Sequence, residues 1–474
     1  MNSPLLHLDN TAEKSLYVQV YEEFRERILS GELPQGSKMP SLRRLAKEND
    51  VSITTVETAY NQLLVEGYIV SRPKSGYYVG NDIAAAVGTQ EAGRKEESLE
   101  DFLESDDARA ARERALIYDE ESFEFAKWKK CMNRVFNEYS HLLRTEADVQ
   151  GEAALRYEIA RYHSQSRGVR CTPEQVVIGA GSQQLTTHLI RIFRELGIGS
   201  AAVEVPGYGP IRNIFKEENF DLTGVPVARN GIVIEKLPEG QRCVAYVNPS
   251  NQFPTGAVMP IGRRYELIRW AEAQDSYILE DDYDSELRYF GKPVPALQGL
   301  DSSGRVIYLG SFAATLFAAI RISYMVLPKE LMEVFDRIKN KYSQTCSKAE
   351  QICLALYMEE GYYHRHIKKC RIRNAGKLET TMKMFRECRC DAIDVVDSRS
   401  GLAVMLRVHT RVPAEQLCRT GKDVGLTIRA VDDLCTEDEQ VLLFYFYRVS
   451  DALLRILIKM YVKNVTRLIG RAKG

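Results

Sequence analysis

The chain has ten cysteines but no C-x-x-C pair. Cys388 and Cys390 are the closest two, and the single residue between them is too short a spacer for ordinary zinc ligation. Reduced, structural thiols are the expected state. No run of eighteen apolar residues is free of charge. Even the greasy stretch 441–464 is broken by Arg448, Asp451, Arg455, Lys459 and Lys463, which argues against a membrane span. Charge of one sign is not in excess either: 64 Lys+Arg against 65 Asp+Glu leave −1, so any affinity for a polyanion is local. The N-terminus carries no basic-then-apolar leader pattern, and a cytoplasmic location is the expectation. What is present is 474 residues, 45% hydrophobic, enough to bury the cores of two or three domains.

The first eighty residues have the pattern of a winged helix-turn-helix. Ser41 to Glu48 reads as a short helix with Ser41 as N-cap, followed by a four-residue turn, Asn49–Ser52. Thr54 and Glu57 offer a capping box ahead of the apolar series Val56, Ala59, Tyr60, Leu63 and Leu64. Gly67 stands where a C′ residue would end that helix. Two β-prone runs, Tyr68–Arg72 and Tyr77–Val79, flank the turn signal Pro73-Lys74-Ser75-Gly76. Two short helices and a hairpin make a reader of double-stranded DNA. A small helical domain with a hairpin lid is the competing reading. Against it, Lys38, Arg43, Arg44, Lys47, Arg72 and Lys74 gather at the first helix of the pair and at the wing, where phosphates would lie. The segment is not basic overall, with nine Lys+Arg and ten Asp+Glu, and Ser52 to Glu66 holds neither Lys nor Arg. Base reading then falls to Thr54, Thr55, Glu57 and Asn61, or to neighbouring arginines.

Residues 81–112 read as a linker, rich in Ala, Gly, Glu and Asp, with nine acidic residues against four basic ones. From about residue 150 the text alternates. Strands are expected at Gln175–Gly179, Ala201–Val205, Arg242–Val247, Tyr277–Glu280, Arg305–Leu309 and Ile322–Leu327. Helical patterns fall near 183–196, 209–219, 262–275 and 329–341. Short apolar strands separated by helices predict an α/β fold with a doubly wound, mostly parallel sheet, spanning 113–344. Residues 345–474 mix long helices with a few strands, such as Gly401–Val408 and Val441–Tyr447, and predict a smaller α+β domain.

Ligands on such sheets sit beyond the carboxyl ends of the strands, and loaded residues cluster there. Gly181-Ser182-Gln183 follows one strand and opens a helix, a site for a phosphate. Tyr208 follows the next. Asn248 to Gly256 is a long polar loop after the third. Glu280-Asp281-Asp282-Tyr283-Asp284 sets four carboxylates beside a phenol. Ser311, then Ala313 and Ala314, then Arg321 complete the set.

The motifs MPSLRRLA, TTVETAYNQLLVEGYIVSRPKSGYYV, NPSNQFPTG, ILEDDYDSELRY and YLGSF…RISYMVLP together resemble the MocR/GabR-like transcriptional regulators. These fuse a GntR-type winged helix to a domain of the fold-type I aminotransferases. The resemblance runs from about residue 14 to 465. It implies a DNA-binding homodimer that senses a small molecule, an amino acid among the candidates, through pyridoxal 5′-phosphate (PLP). It implies that Asp281 faces the pyridine nitrogen and keeps the ring protonated, an electron sink. It also implies that Tyr283 bonds the ring oxygen and that Tyr208 stacks on the ring. Gly181, Ser182, Gln183, Ser311 and Arg321 would hold the phosphate. Asn251 would join the cofactor contacts, Arg448 would take the carboxylate of the effector, and Asp282 and Asp284 would be structural or solvated.

Here the sequence departs from the pattern. The lysine that joins PLP covalently should follow the Ser-Phe step, and the residues there are Ala313 and Ala314. Alanine can neither form the link nor carry a proton. Lys292 and Lys329 are nearest in sequence but misplaced in the motif. The segment 115–128 lacks the family's Pro- and Gly-containing motif, Thr145 to Gln150 lacks its tyrosine, and Ile53 stands where an arginine is usual. Two origins fit: natural loss of covalent PLP binding, or alanines at 313, 314 and 318 introduced into a lysine-bearing parent. A PLP-dependent aminotransferase and a ligand-free dimerisation scaffold are the alternatives in function, and Ala314 speaks against the first.

Overall fold

The computed structural model describes residues 6, 8, 14–72, 75–80, 122–289, 294–388, 390–396 and 401–472. The linker expected over 81–112, Lys74 and Lys292 lie outside these residues. The chain divides into two compact units, residues 1–110 and 111–474.

In the first unit three helices, α1 (Leu16–Leu29), α2 (Leu42–Glu48) and α3 (Ile53–Val65), precede a hairpin of β1 (Ile69–Arg72) and β2 (Gly76–Val79). Helix α1 went unread in the sequence. Its buried face, Val20, Phe24 and Ile28, recurs at helical spacing. Tyr60 ties the unit together, meeting Phe24 and Tyr77 edge-on at centroid distances of 5.7 and 5.2 Å. Its buried hydroxyl is satisfied by the carbonyl of Pro40 at 3.1 Å.

The helix starts differ from the expectation. Ser41 makes no side-chain capping bond. In α3 the N-cap is Ser52, whose hydroxyl accepts from the Thr55 amide at 3.0 Å. Thr54 and Glu57 lie inside the helix, so the expected capping box does not form; the Ser52 hydroxyl, on a residue of extended backbone, already satisfies the Thr55 amide. Gly67, at φ +79°, ends the helix as expected.

The second unit is built on an eight-stranded sheet of β3 (Val176–Gly179), β4 (Ser200–Val205), β5 (Asp221–Ala228), β6 (Gly231–Ile232), β7 (Val244–Val247), β8 (Tyr277–Asp282), β9 (Val306–Ser311) and β10 (Ser323–Val326). Their order is β3-β10-β9-β8-β7-β4-β5-β6. The neighbours from β9 through β5 run parallel, and β10 is antiparallel to both β3 and β9. All of the central strands β7 and β8 is buried, as continuous apolar runs under helices on both faces require. Strands β5 and β6 were missed, because Gly224 and Pro226 interrupt the first and the second is two residues long.

A second sheet, order β11-β12-β14-β13, is antiparallel and comprises β11 (Ile393–Val395), β12 (Val404–His409), β13 (Ile428–Ala430) and β14 (Glu439–Phe444). Its core includes Leu406, Phe444, Leu454, Tyr461 and Val465. The division expected at 344/345 falls within shared packing: Cys353, Tyr357, Tyr363 and Ile367 belong to the same core as Val135, Leu155 and Tyr308. The helix Tyr362–Glu387 spans both cores, since Tyr363 and Ile367 join the first, and Leu378 and Phe385 the second.

Candidate functional site

Three successive carboxylates end β8, and the two-residue period of a strand sends them to opposite faces. Glu280 accepts from the backbone amides of Leu297 and Gln298 at 2.8 and 2.9 Å. Asp282 accepts from Arg167 at 3.0 Å and from the Tyr308 hydroxyl at 2.7 Å. Burial opposes its charge, but the Arg167 guanidinium and the hydrogen bond from Tyr308 hold its carboxyl below the usual range. Asp282 is therefore structural. Replacing Arg167 by methionine would leave a buried carboxylate unpaired, and a loss of about 3–5 kcal/mol in denaturant-derived unfolding free energy is expected. A loss under about 1 kcal/mol would contradict the buried-pair assignment.

Asp281 turns the other way, into a cavity of about 500 Å³ at the carboxyl ends of the strands. The Tyr246 hydroxyl donates to its Oδ2 at 2.5 Å, and Asn248 Nδ2 donates to its backbone carbonyl at 2.9 Å. Burial pushes its carboxyl up to about 7; the Asp282 charge adds to this, and the bonds from Tyr246 and Asn248 oppose it. Glu204, behind it, is pushed up to about 8, again chiefly by burial. Asn248 Oδ1 is buried with no hydrogen-bond partner among the described residues. The cavity floor thus holds a carboxylate whose ionisation burial opposes and an orphaned acceptor.

The expected residues converge here. Gly181, Ser182, Gln183, Tyr208, Asn251, Asp281, Tyr283, Ser311 and Arg321 all line this cavity, as do Ala313 and Ala314. Gly181, at φ +103°, is the N-cap of the helix Ser182–Glu195, and a Cβ on it would come within 2.5 Å of the Arg321 guanidinium. Free helix amides, an arginine and Ser311 therefore share one corner, the chemistry of a phosphate cradle. Ser323 adds to it, its hydroxyl donating to Ser311 Oγ at 2.9 Å across the β9–β10 register. Tyr283 donates to the Asn251 carbonyl at 3.3 Å. Asn251 Nδ2 donates to Asp284 at 2.8 Å, so Asp284 is a buried part of the site rather than a solvated group. Tyr208 meets Phe253 edge-on at 5.7 Å.

Arg448 is not brought to the cavity. Its Nε donates to the Tyr447 hydroxyl at 2.8 Å, and it lies 5.9 Å from the ring centre of Tyr445, which does line the cavity. The cavity-lining positions on its strand and the turn after it are Leu443 and Tyr445. Among the described residues no lysine lines the cavity. Tyr246 and Arg429 were missed in the sequence, the first because it lies mid-strand, the second because its strand has three residues.

In the first unit Arg43, Arg44, Lys47, Thr54 and Arg72 are exposed. Arg44 pairs with Glu48 at 2.9 Å. The Arg72 guanidinium lies 4.4 Å from the ring centre of Tyr78 on the hairpin. Thr55 is half-buried, and its hydroxyl is 2.8 Å from that of Ser52 in the α3 cap. Among the described residues no group of His, Cys, Asp and Glu is arranged to hold a metal ion, and no helix is long and apolar enough to cross a membrane.

Residues 16–79 match the family described as bacterial regulatory proteins, gntR family, and residues 116–471 match aminotransferase class I and II. Along 433 residues the chain is 37% identical to the HTH-type transcriptional regulator YdeL of Bacillus subtilis, covering 90% of each. The chain belongs to the MocR-like HTH-type transcriptional regulators. It is 34% identical to the probable rhizopine catabolism regulatory protein MocR of Rhizobium meliloti, over 89% of this chain and 87% of that one. It is 30% identical to the pyridoxine biosynthesis regulator PdxR of Corynebacterium glutamicum, over 75% and 76%. The fold of the second unit is that of aminotransferases. Pyrococcus horikoshii kynurenine aminotransferase superposes with a TM-score of 0.65 at 19% identity, over 81% of this chain and 99% of that one. LysN from Thermus thermophilus, complexed with N-(5′-phosphopyridoxyl)-L-leucine, gives 0.66 at 21%, over 75% and 91%. The regulator therefore carries a DNA-binding winged helix and an aminotransferase-fold unit whose family is PLP-dependent.

Proposed function

We propose that this regulator senses PLP, alone or joined to an amino acid, by non-covalent binding in the cavity of its aminotransferase-like unit, and that it turns over no substrate there. The observation that carries the reading is a cavity lined by Asp281, Tyr283, Ser311 and Arg321, with Ala313 and Ala314 after β9 and no lysine among the described lining residues. The residues fit the group. The orphaned Asn248 Oδ1 and the raised Asp281 carboxyl both gain from a cationic, hydrogen-bonding ring, and the Gly181–Arg321 corner suits a dianionic phosphate. PLP, when bound, supplies an electron-withdrawing ring and an aldehyde. Asp281 would hold the proton at the pyridine nitrogen, Tyr208 and Tyr283 would orient the ring, and Ser182, Gln183, Ser311 and Arg321 would anchor the phosphate. No lysine among the described lining residues is placed to move the α-proton of an amino acid.

On this reading the chain acts in the cytoplasm as a homodimer, pairing two winged helices on two half-sites of an operator. The test is operator binding by the full chain with and without PLP plus an amino acid. The reading expects affinity to shift with ligand; affinity indifferent to both, together with no thermal stabilisation by PLP, would contradict it.

The DNA-contacting surface makes a separate expectation. Arg43 has no carboxylate partner among the described residues, whereas Arg44 is partly occupied by Glu48. Arg43→Ala is expected to weaken operator binding and to lower the salt slope by about one unit per subunit, with a smaller loss for Arg44→Ala. Fluorescence anisotropy across a salt series measures this, and unchanged slopes in both variants would remove these arginines from the phosphate contacts.

A further inference from the structure

PLP contacts account for the lining residues at the ends of the large sheet. They leave unassigned the wall contributed by the small one. In its register Met405 pairs with Leu443, and Leu443 pairs with Arg429. Residues directly opposite on antiparallel neighbours share a face. Met405, Leu443 and Arg429 therefore form one row across β12, β14 and β13, and all three line the cavity. The row is apolar until its last member, which is a cation.

Arg429 is placed for a ligand rather than for the fold. It lines the cavity and has no carboxylate within ion-pair distance among the described residues, whereas Arg212, outside the cavity lining, pairs with Asp433 at 3.1 Å. Its guanidinium meets the ring of Tyr445, 5.7 Å from its Cζ, and Tyr445 lines the same cavity. A guanidinium held by a ring face keeps its donor edge available. Its field reaches the phenols of Tyr208 and Tyr445, so it acts within the site and not away from it. Arg448, expected to take the effector's carboxylate, does not line the cavity.

Building on the PLP reading above, we infer that Arg429 receives the carboxylate of the effector, and that Met405 and Leu443 receive an apolar side chain. The effector class is then an α-amino acid with an aliphatic or other apolar side chain, bound as its conjugate with the cofactor. An acidic side chain would meet the two apolar members of the row without a second cation from that wall.

The test uses three probes on the full chain, titrated by fluorescence: PLP, N-(5′-phosphopyridoxyl)-L-leucine, and the same conjugate lacking its carboxylate, N-(5′-phosphopyridoxyl)-3-methylbutylamine. The native chain is expected to prefer the carboxylate-bearing conjugate by roughly ten- to hundredfold, the range of a charge-assisted hydrogen-bonded pair. In Arg429→Gln that preference should fall to near one while PLP affinity stays the same, and Arg429→Lys should keep part of it. Arg429 is exposed on an edge strand, so both variants are expected to fold, and their unchanged PLP affinity verifies it. A preference that survives in Arg429→Gln, or a native chain with no preference, overturns the assignment. Failure of the native chain to bind any of the three probes overturns the cofactor reading instead, and this assignment with it.

Discussion

Ala314→Lys is expected to convert reversible PLP binding into a covalent link. Ala314 lies in the turn after β9, and both it and Ala313 face open cavity rather than packed core. A lysine there has room for its stem and lies beside the groups proposed to fix the ring and phosphate. The amine and the aldehyde are then held together, and the affinity for PLP is expected to rise on the order of a hundredfold through effective concentration alone. Absorbance should show a new band that borohydride removes, and intact-mass spectrometry should show a stable increment on one chain site. A variant that folds and still releases all PLP on denaturation after borohydride would contradict the placement of residue 314 beside the aldehyde.

Asp281→Asn is expected to make the empty protein more stable and to make it bind PLP worse. Burial, with help from the Asp282 charge, raises the Asp281 carboxyl to about 7 in the folded chain. An unfolded aspartate titrates near about 4. Between those values the folded state holds a proton that the unfolded chain has released. Stability therefore falls as pH rises, by at most about 1.4 kcal/mol per unit, and the loss is complete above pH 7. Asparagine cannot ionise and escapes that loss. Its advantage is expected to be small at pH 4.5 and on the order of 3 kcal/mol at pH 8, seen as a melting temperature several degrees higher. PLP affinity should move the opposite way, falling roughly ten- to hundredfold, because the amide no longer offers a charge to the ring nitrogen. Thermal melts at the two pH values, with and without PLP, read both effects. A stability gap independent of pH would show that Asp281 is already ionised at no cost.

The parts legible in the sequence were those with strong local signals. Six strands of the large sheet, β3, β4, β7, β8, β9 and β10, stood out as buried apolar runs, and the turn between α2 and α3 was set by Asn49 to Ser52. The cluster Asp281–Asp284 announced itself by charge density at a strand end. Three features were hidden for separate reasons. The α3 cap moved from Thr54 to Ser52 because hydroxyl residues lie in succession and only backbone geometry selects among them. Arg429 sits on a three-residue strand with no alternating pattern to mark its face. Asp284 is expected from the sequence to be structural or solvated, and the long-range approach of Asn251 places it as a buried group of the site. The misplacement of Arg448 has the same origin: β14 ends at Phe444, so the alternation that would carry a face onward to residue 448 is lost in a short 3₁₀ turn.

The central claim is that the regulator holds PLP without a covalent bond. The direct measurement is equilibrium dialysis of the native full chain against PLP, followed by borohydride reduction and intact-mass spectrometry of the same sample. The account predicts saturable retention of one PLP per chain, lost completely on denaturation, with the protein mass unchanged after reduction. A PLP increment on any lysine of the folded chain, or no saturable retention at all, would contradict it.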